Sequence, residues 1–163
     1  MTDRIYALYQ NMETAVTATN ELMRQGILPG NISVITHDPD EKYARYLDLD
    51  DDDVNAEEGT SFGALVGALT GLGVALIPGF GPIFATGPLA AALIAGIGAG
   101  TGAVTGGITA ALVDFGADED DLEYYERVLR DGGALAIVDT LSETDEDLVE
   151  SVLKSHRPLE IED

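Results

Sequence analysis

A glycine-rich segment near the middle of the chain has the spacing of a dinucleotide-binding turn. Gly98-Ala99-Gly100-Thr101-Gly102-Ala103 fits the pattern G-x-G-x-x-A, and Asp114 is the next acidic residue. In nucleotide-binding folds this turn follows a strand, and an acidic side chain about 20 residues further on binds the ribose. Asp114 lies only 11 residues beyond Ala103, and the glycine period continues to Gly106. We therefore expect no bound cofactor.

The segment Asp48–Asp53 carries five carboxylates, which are ligands that Ca²⁺ and Mg²⁺ prefer. A calcium-binding EF-hand loop has Gly at its sixth position and Glu at its twelfth. Counted from Asp48, those positions hold Asp53 and Gly59. The segment is therefore interpreted as a solvated acidic linker, and no metal site is expected.

The sequence contains no recognisable set of a nucleophile and a base for nucleophilic catalysis. His37 and His156 are the only histidines, at the end of a predicted strand and late in a predicted helix. There is no Cys, so thiol nucleophiles, disulfides and Cys-ligated zinc are excluded. We expect no catalytic residues and a protein that is not an enzyme.

The net charge limits the classes of partner. The 163 residues include 30 Asp and Glu against 8 Lys and Arg, which gives a formal charge of −22. Nucleic-acid binding needs a basic surface, so it is not expected. Abundant acidic residues with only two Lys, at Lys42 and Lys154, are typical of proteins adapted to high salt, where like-charge repulsion is screened.

The charges divide the chain into three parts. No Asp, Glu, Lys or Arg occurs from Gly59 to Val113, a run of 55 residues that we call the uncharged segment. We expect residues 1–38 and 117–163 to form one discontinuous domain. Residues 39–58 form an acidic linker, and residues 59–116 form an inserted element.

The N-terminal part is predicted to be strand, helix, strand. Ile5–Tyr9 is rich in β-forming residues, and Asn11 is a suitable N-cap for a helix. Apolar residues then recur at helical spacing until Gly26: Met12, Ala15, Val16, Thr19, Leu22 and Met23. After a Pro29-Gly30 turn, Ile32–Ile35 forms the second strand.

The C-terminal part repeats this order after a further helix near residues 119–131, which ends at Gly132-Gly133. Ala134–Val138 is the predicted strand. Thr144 and Asp147 resemble a capping box for the next helix. Pro158 then precedes a last strand with alternating Leu159, Glu160, Ile161 and Glu162. Two βαβ units predict an α+β, ferredoxin-like fold, with both helices on one face of a four-stranded antiparallel sheet.

The uncharged segment is predicted to be a helical hairpin, with helices at residues 61–77 and 89–113. Its turn is formed by Pro78, Gly79, Gly81 and Pro82, and Gly87-Pro88 precedes the second helix. Glycines recur every four residues, which predicts close helix packing or oligomerisation of the glycine-zipper type. The packing residues are Gly63, Gly67, Gly71, Gly98, Gly102 and Gly106.

Two environments fit this hairpin. Its helices reach the length of about 20 apolar residues that a bilayer requires, the first only narrowly. The basic residues all lie outside the hairpin, which favours a cytoplasmic membrane location with the charged domain facing the cytoplasm. Alternatively, several hairpins bury each other in a soluble cytoplasmic oligomer.

The order of features resembles the YflT-type heat-induced or general stress proteins. The resemblance rests on the opening strand and helix, Gly30–Ile35, Leu76–Pro82, Gly87–Ala91, and Tyr124-Tyr125-Glu126 before Gly132–Leu135. It implies a stress-associated role with no established reaction. We expect a non-enzymatic protein that binds itself, and a lipid bilayer in the membrane case. The alternative is a soluble homo-oligomeric binding or regulatory module whose small-molecule ligand the sequence does not identify.

Overall fold

The protein is an α+β chain, seen in a computed structural model that describes residues 3–39, 73–77, 81–98, 108–110, 112–113 and 115–162. The N-terminal elements are β1 (Asp3–Tyr9), α1 (Met12–Arg24) and β2 (Ile32–His37), with a 3₁₀ turn at Pro29–Asn31. They are followed by β3 (Gly73–Ile77), β4 (Gly81–Thr86) and α2 (Gly87–Gly98). The C-terminal elements are α3 (Leu122–Arg130), β5 (Ala134–Thr140), α4 (Glu143–Ser155) and β6 (Glu160–Glu162).

The described strands form one six-stranded antiparallel sheet in the order β3-β4-β2-β5-β1-β6. The two charged parts of the chain meet at its centre, where β1 pairs with β5 from Asp3↔Thr140 to Tyr9↔Ala134. Strand β2 pairs with the other side of β5, and β6 pairs with the other side of β1. The prediction that the sheet is built from both ends of the chain is confirmed.

The sheet is covered on both faces. Along β1 the buried side chains alternate, so that Ile5, Ala7 and Tyr9 face one core while Tyr6 and Leu8 face the other. Helices α1 and α4 cover the first face, as predicted. Helices α2 and α3 and the residues around Ile108 and Leu112 cover the second.

Helix α1 forms as its sequence predicts. The Asn11 side chain accepts a hydrogen bond from the Thr14 amide at 2.9 Å, which satisfies one of the unpaired N–H groups of the first turn. The predicted apolar face is buried at Met12, Ala15, Val16, Thr19 and Leu22. The chain leaves the helix through Gly26, whose φ of +104° favours glycine.

The predicted cap of α4 was wrong by two residues. Ser142, not Thr144, is the N-cap: its backbone is extended, and its hydroxyl accepts a hydrogen bond from the Asp145 amide at 3.2 Å. Thr144 already lies inside the first helical turn. Strand β5 continues to Thr140 rather than ending at Val138, and α4 begins after a connection of only two residues.

The helical hairpin predicted for residues 59–116 is wrong for two stretches. Gly73–Ile77, the end of the first predicted helix, is strand β3, and the turn residues Gly81 and Pro82 begin strand β4. A short apolar run beside Pro and Gly fits a strand as well as a helix. Here β3 is stabilised by pairing with β4, and β4 by pairing with β2. The second helix begins at Gly87 instead of Leu89.

Among the described residues, no helix combines the length and the apolar character needed to cross a membrane.

Candidate functional site

The predicted packing and turn residues are only partly described. Of the packing glycines, Gly98 ends α2, whereas the others lie outside the described residues: Gly63, Gly67, Gly71, Gly102 and Gly106. Pro78 and Gly79 also lie outside them. Gly81 and Pro82 begin β4, and Gly87 and Pro88 begin α2. The acidic segment Asp48–Asp53 is likewise outside the described residues.

The junction of β4 and α2 places the uncharged segment directly against β2. Gly87 has a φ of +72°, and a Cβ there would lie 1.9 Å from the carbonyl oxygen of Ile32. The buried Ser33 hydroxyl accepts a hydrogen bond from the Leu89 amide at 3.1 Å, which caps the start of α2 from the neighbouring strand. Only glycine allows this close approach and turn.

Helix α2 carries no charge on any side. Leu89 and Ala90 are buried against the sheet, whereas Ala91 and Ala92 are exposed. An ordinary surface helix has polar residues on its solvent side, and a helix that is apolar all round is normally buried by something further. The exposed side of α2 is therefore a candidate contact surface.

The two edges of the described sheet differ in chemistry. The edge strand β6 has only three residues, two of them the acidic Glu160 and Glu162. Short length and charge are the features by which natural sheets prevent unwanted strand pairing. The opposite edge strand, β3, has the sequence Gly-Val-Ala-Leu-Ile, with neither charge nor proline. The β3 edge is a second candidate contact surface, contiguous with α2, which packs on β3 and β4.

A carboxyl cluster lies between α3 and β6. One oxygen from each of Asp121, Glu160 and Glu162 lies within 4.8 Å of the others. Tyr125, one turn into α3, donates a hydrogen bond from its hydroxyl to Glu162 Oε2 at 2.5 Å. Glu160 Oε2 is buried and has no hydrogen-bond partner among the residues that the structure describes. This set of oxygens could share a proton or hold a cation.

The environment of Glu162 favours its protonated form. Burial raises the pKa of Glu162, and a hydrogen bond and charge repulsion from Asp121 act in the same direction. Burial also raises the pKa of Tyr125 above its ordinary value, as does the hydrogen bond to Glu162, so this phenol stays neutral. The spacing of residues does not predict this cluster, because Asp121 is far from Glu160 along the chain and only the sheet topology joins them.

A second polar group holds the chain that enters α3. Arg4 pairs with Asp139 at 2.5 Å, donates to the Phe115 carbonyl and stacks 4.3 Å over the Phe115 ring. The Tyr6 hydroxyl donates to the same carbonyl at 3.1 Å. These partners are all protein groups, so we interpret this set as structural.

The two histidines are not brought together. His37 ends β2, where a Cβ at Gly81 would lie 3.2 Å from its Nε2. His156 follows α4, and its Nδ1 lies 3.0 Å from the Val152 carbonyl oxygen of the same helix. Among the described residues, the candidate metal-binding group does not include His37 or His156.

The chain matches no family model, no curated protein and no solved structure.

Proposed function

We propose that the protein is a non-enzymatic self-association module, in which a ferredoxin-like α+β domain carries an uncharged segment that binds a second copy. The order β2-β5-β1-β6, with α1 and α4 on one face, supports the ferredoxin-like assignment because two interleaved βαβ units produce this arrangement. The resemblance to heat-induced and general stress proteins supports a role in the stress response.

The observation that carries this proposal is the character of α2 and its surroundings. A helix without charge lies on the sheet with Ala91 and Ala92 exposed, beside an edge strand that is also uncharged. Exposed apolar residues on an uncharged helix are typical of interfaces. The glycines that recur every four residues in the uncharged segment, here called the glycine rows, would add to the contact by allowing close packing of backbones.

Electrostatics favours a second copy as the partner. Each chain carries a net charge of −22, so two copies repel wherever their charged parts approach. The uncharged segment is the one long part of the sequence over which identical chains can meet without opposing carboxylates. A basic partner would instead bind the acidic parts of the chain, where the surface charge is complementary.

A lipid bilayer is the alternative partner for the same segment. No Asp, Glu, Lys or Arg interrupts its 55 residues, and a segment without charge is the part of the chain that a bilayer would accept. In this version the segment anchors the protein in the cytoplasmic membrane, and the charged domain faces the cytoplasm. If copies instead associate in water, the assembly could serve as a binding or regulatory module for a small ligand.

Light scattering on a size-exclusion column, in molar salt and without detergent, separates these cases. A defined oligomer supports self-association in water. Protein that stays in the membrane pellet until detergent is added supports the lipid anchor. A monomer that needs no detergent would overturn the proposal.

Substitutions in the glycine rows test where the contact lies. We expect Gly67→Leu and Gly102→Leu to reduce the mass of the oligomer, because a large side chain prevents close packing of backbones. The matched control is Gly30→Leu, at a glycine whose added Cβ would meet no atom within 4 Å. Unchanged mass in both segment variants would contradict the role of the glycine rows.

A further inference from the structure

The pairing of β4 identifies which backbone groups of β3 are directed away from the described sheet. In β4, Pro82 has no N–H, and its carbonyl accepts a hydrogen bond from the Asp38 amide at 2.9 Å on the β2 side. Backbone groups in an antiparallel strand alternate in direction. Residues 82, 84 and 86 therefore bond toward β2, and residues 81, 83 and 85 bond toward β3.

The register of the β3–β4 pair shows which residues of β3 bond toward β4. Gly73, Ala75 and Ile77 lie opposite Ala85, Ile83 and Gly81, so these three residues of β3 direct their N–H and C=O groups toward β4. Val74 and Leu76 direct theirs away from the described sheet. The edge therefore presents two N–H and two C=O groups, spaced symmetrically about Ala75.

We propose that β3 of one copy pairs antiparallel with β3 of a second copy, about a twofold axis at Ala75. This proposal rests on the self-association proposed above and specifies its geometry. Val74 would lie opposite the partner's Leu76, and Leu76 opposite the partner's Val74. Each of these pairs exchanges two hydrogen bonds, so all four N–H and four C=O groups of the two edges are satisfied.

A second copy is the occupant that the edge itself favours. Pairing of an edge strand with an added strand needs only backbone groups, so charge decides which strands can approach. Strand β3 has no charge to oppose that of its copy, and the groups about Ala75 are arranged symmetrically, as a twofold contact requires. The β6 edge, by contrast, would bring Glu160 and Glu162 against the same carboxylates of the partner.

Single cysteines test the register directly, because the natural chain has none. At the twofold axis, Ala75 and the partner's Ala75 form a non-hydrogen-bonded pair, whose Cα atoms lie about 4.5 Å apart. This Cα–Cα distance is suitable for a disulfide. Val74 and the partner's Val74 are offset by two residues, so their Cα atoms lie farther apart than the limit of about 7 Å for a disulfide. We expect Ala75→Cys to form a covalent dimer on oxidation.

Two matched variants serve as controls for this cross-link. Val74→Cys places the thiol one residue away on the same strand, and Leu141→Cys places it on an exposed site elsewhere. Both should remain at least about tenfold less cross-linked than Ala75→Cys under the same oxidant, because their thiols do not meet in the paired state. Equal cross-linking of Val74→Cys and Ala75→Cys would overturn the proposed register.

A proline substitution tests the hydrogen bonds without relying on cysteine. Val74→Pro removes an edge N–H that is not used within the hairpin, so the fold should persist while the dimer weakens. Two hydrogen bonds are lost per dimer, and we expect the dissociation constant to rise by about 30-fold. Ala75→Pro is the contrast: it removes an N–H directed toward β4 and should destabilise the monomer instead.

The outcomes separate this proposal from the one on which it rests. If light scattering shows an oligomer whose mass Val74→Pro leaves unchanged, and Ala75→Cys does not cross-link, the edge pairing is wrong while self-association stands. If the protein is a monomer without detergent, both fail. If the Val74 and Leu76 amides resist hydrogen exchange in a monomer, the edge is already covered within the chain and the pairing is also overturned.

Discussion

The pKa of Glu162 links the carboxyl cluster to stability. Because burial raises this pKa in the folded state, the folded protein binds the proton more tightly than the unfolded chain does. The resulting stabilisation is fully present below the unfolded pKa of 4.5, and it is lost as the pH rises through the raised folded pKa. Ionisation of Glu162 therefore opposes the docking of β6.

Glu162→Gln should remove this penalty. Glutamine keeps the acceptor oxygen for the Tyr125 hydroxyl but has no charge, so we expect the variant to melt on the order of 2 °C higher at pH 7.5. At pH 4 the two proteins should melt at nearly the same temperature. Glu123→Gln, on the exposed side of α3, makes the same change in net charge. An equal gain in both variants would assign the effect to net charge alone.

At the scale of elements, the junction of β4 and α2 depends on one glycine. Any side chain at Gly87 would collide with the Ile32 carbonyl. It would also be strained by the backbone φ of +72° at this position, which favours glycine. We expect Gly87→Ala to lower the free energy of unfolding by about 3 kcal/mol, measured by urea denaturation. Gly30→Ala, where a Cβ has open space, should change it by less than about 0.5 kcal/mol. A similar small effect at Gly87 would show that the junction can relax.

Elements with a polar side could be predicted from the sequence. The α1 face from Met12 to Leu22 alternates with exposed polar residues, and this contrast identifies both its period and its buried side. The same reasoning failed at Gly73–Ile77, because an uncharged run has no contrast from which a period can be read. There, pairing with β4 decides the structure, and pairing partners are distant in sequence.

The carboxyl cluster could not be predicted for a related reason. Asp121 was assigned to a helix start and Glu160 to a last strand, and both assignments are close to the structure. Their contact follows from β6 lying beside β1 while α3 crosses the same face. A cluster of this kind depends on topology, which spacing along the chain does not specify.

At the scale of the whole molecule, charge should make stability depend on salt. With a net charge of −22, repulsion among surface carboxylates destabilises the compact state. The distance over which charges interact falls from about 10 Å at 0.1 M salt to about 3 Å at 1 M. We therefore expect the melting temperature to fall by on the order of 10 °C when NaCl is reduced from about 2 M to about 0.05 M.

Substitution of surface carboxylates tests whether repulsion is the cause. Asp131, which follows α3, and Asp147, on α4, are both exposed. A cation at Asp131 also suits the C-terminal end of α3. The double variant Asp131→Lys and Asp147→Lys should melt higher than the natural chain at low salt and nearly equal to it at 2 M. The double variant Asp131→Asn and Asp147→Asn should give about half this gain in melting temperature, because it changes the net charge by half as much. If all three proteins instead show the same change of melting temperature with salt, the salt dependence comes from hydration or ion binding and not from repulsion.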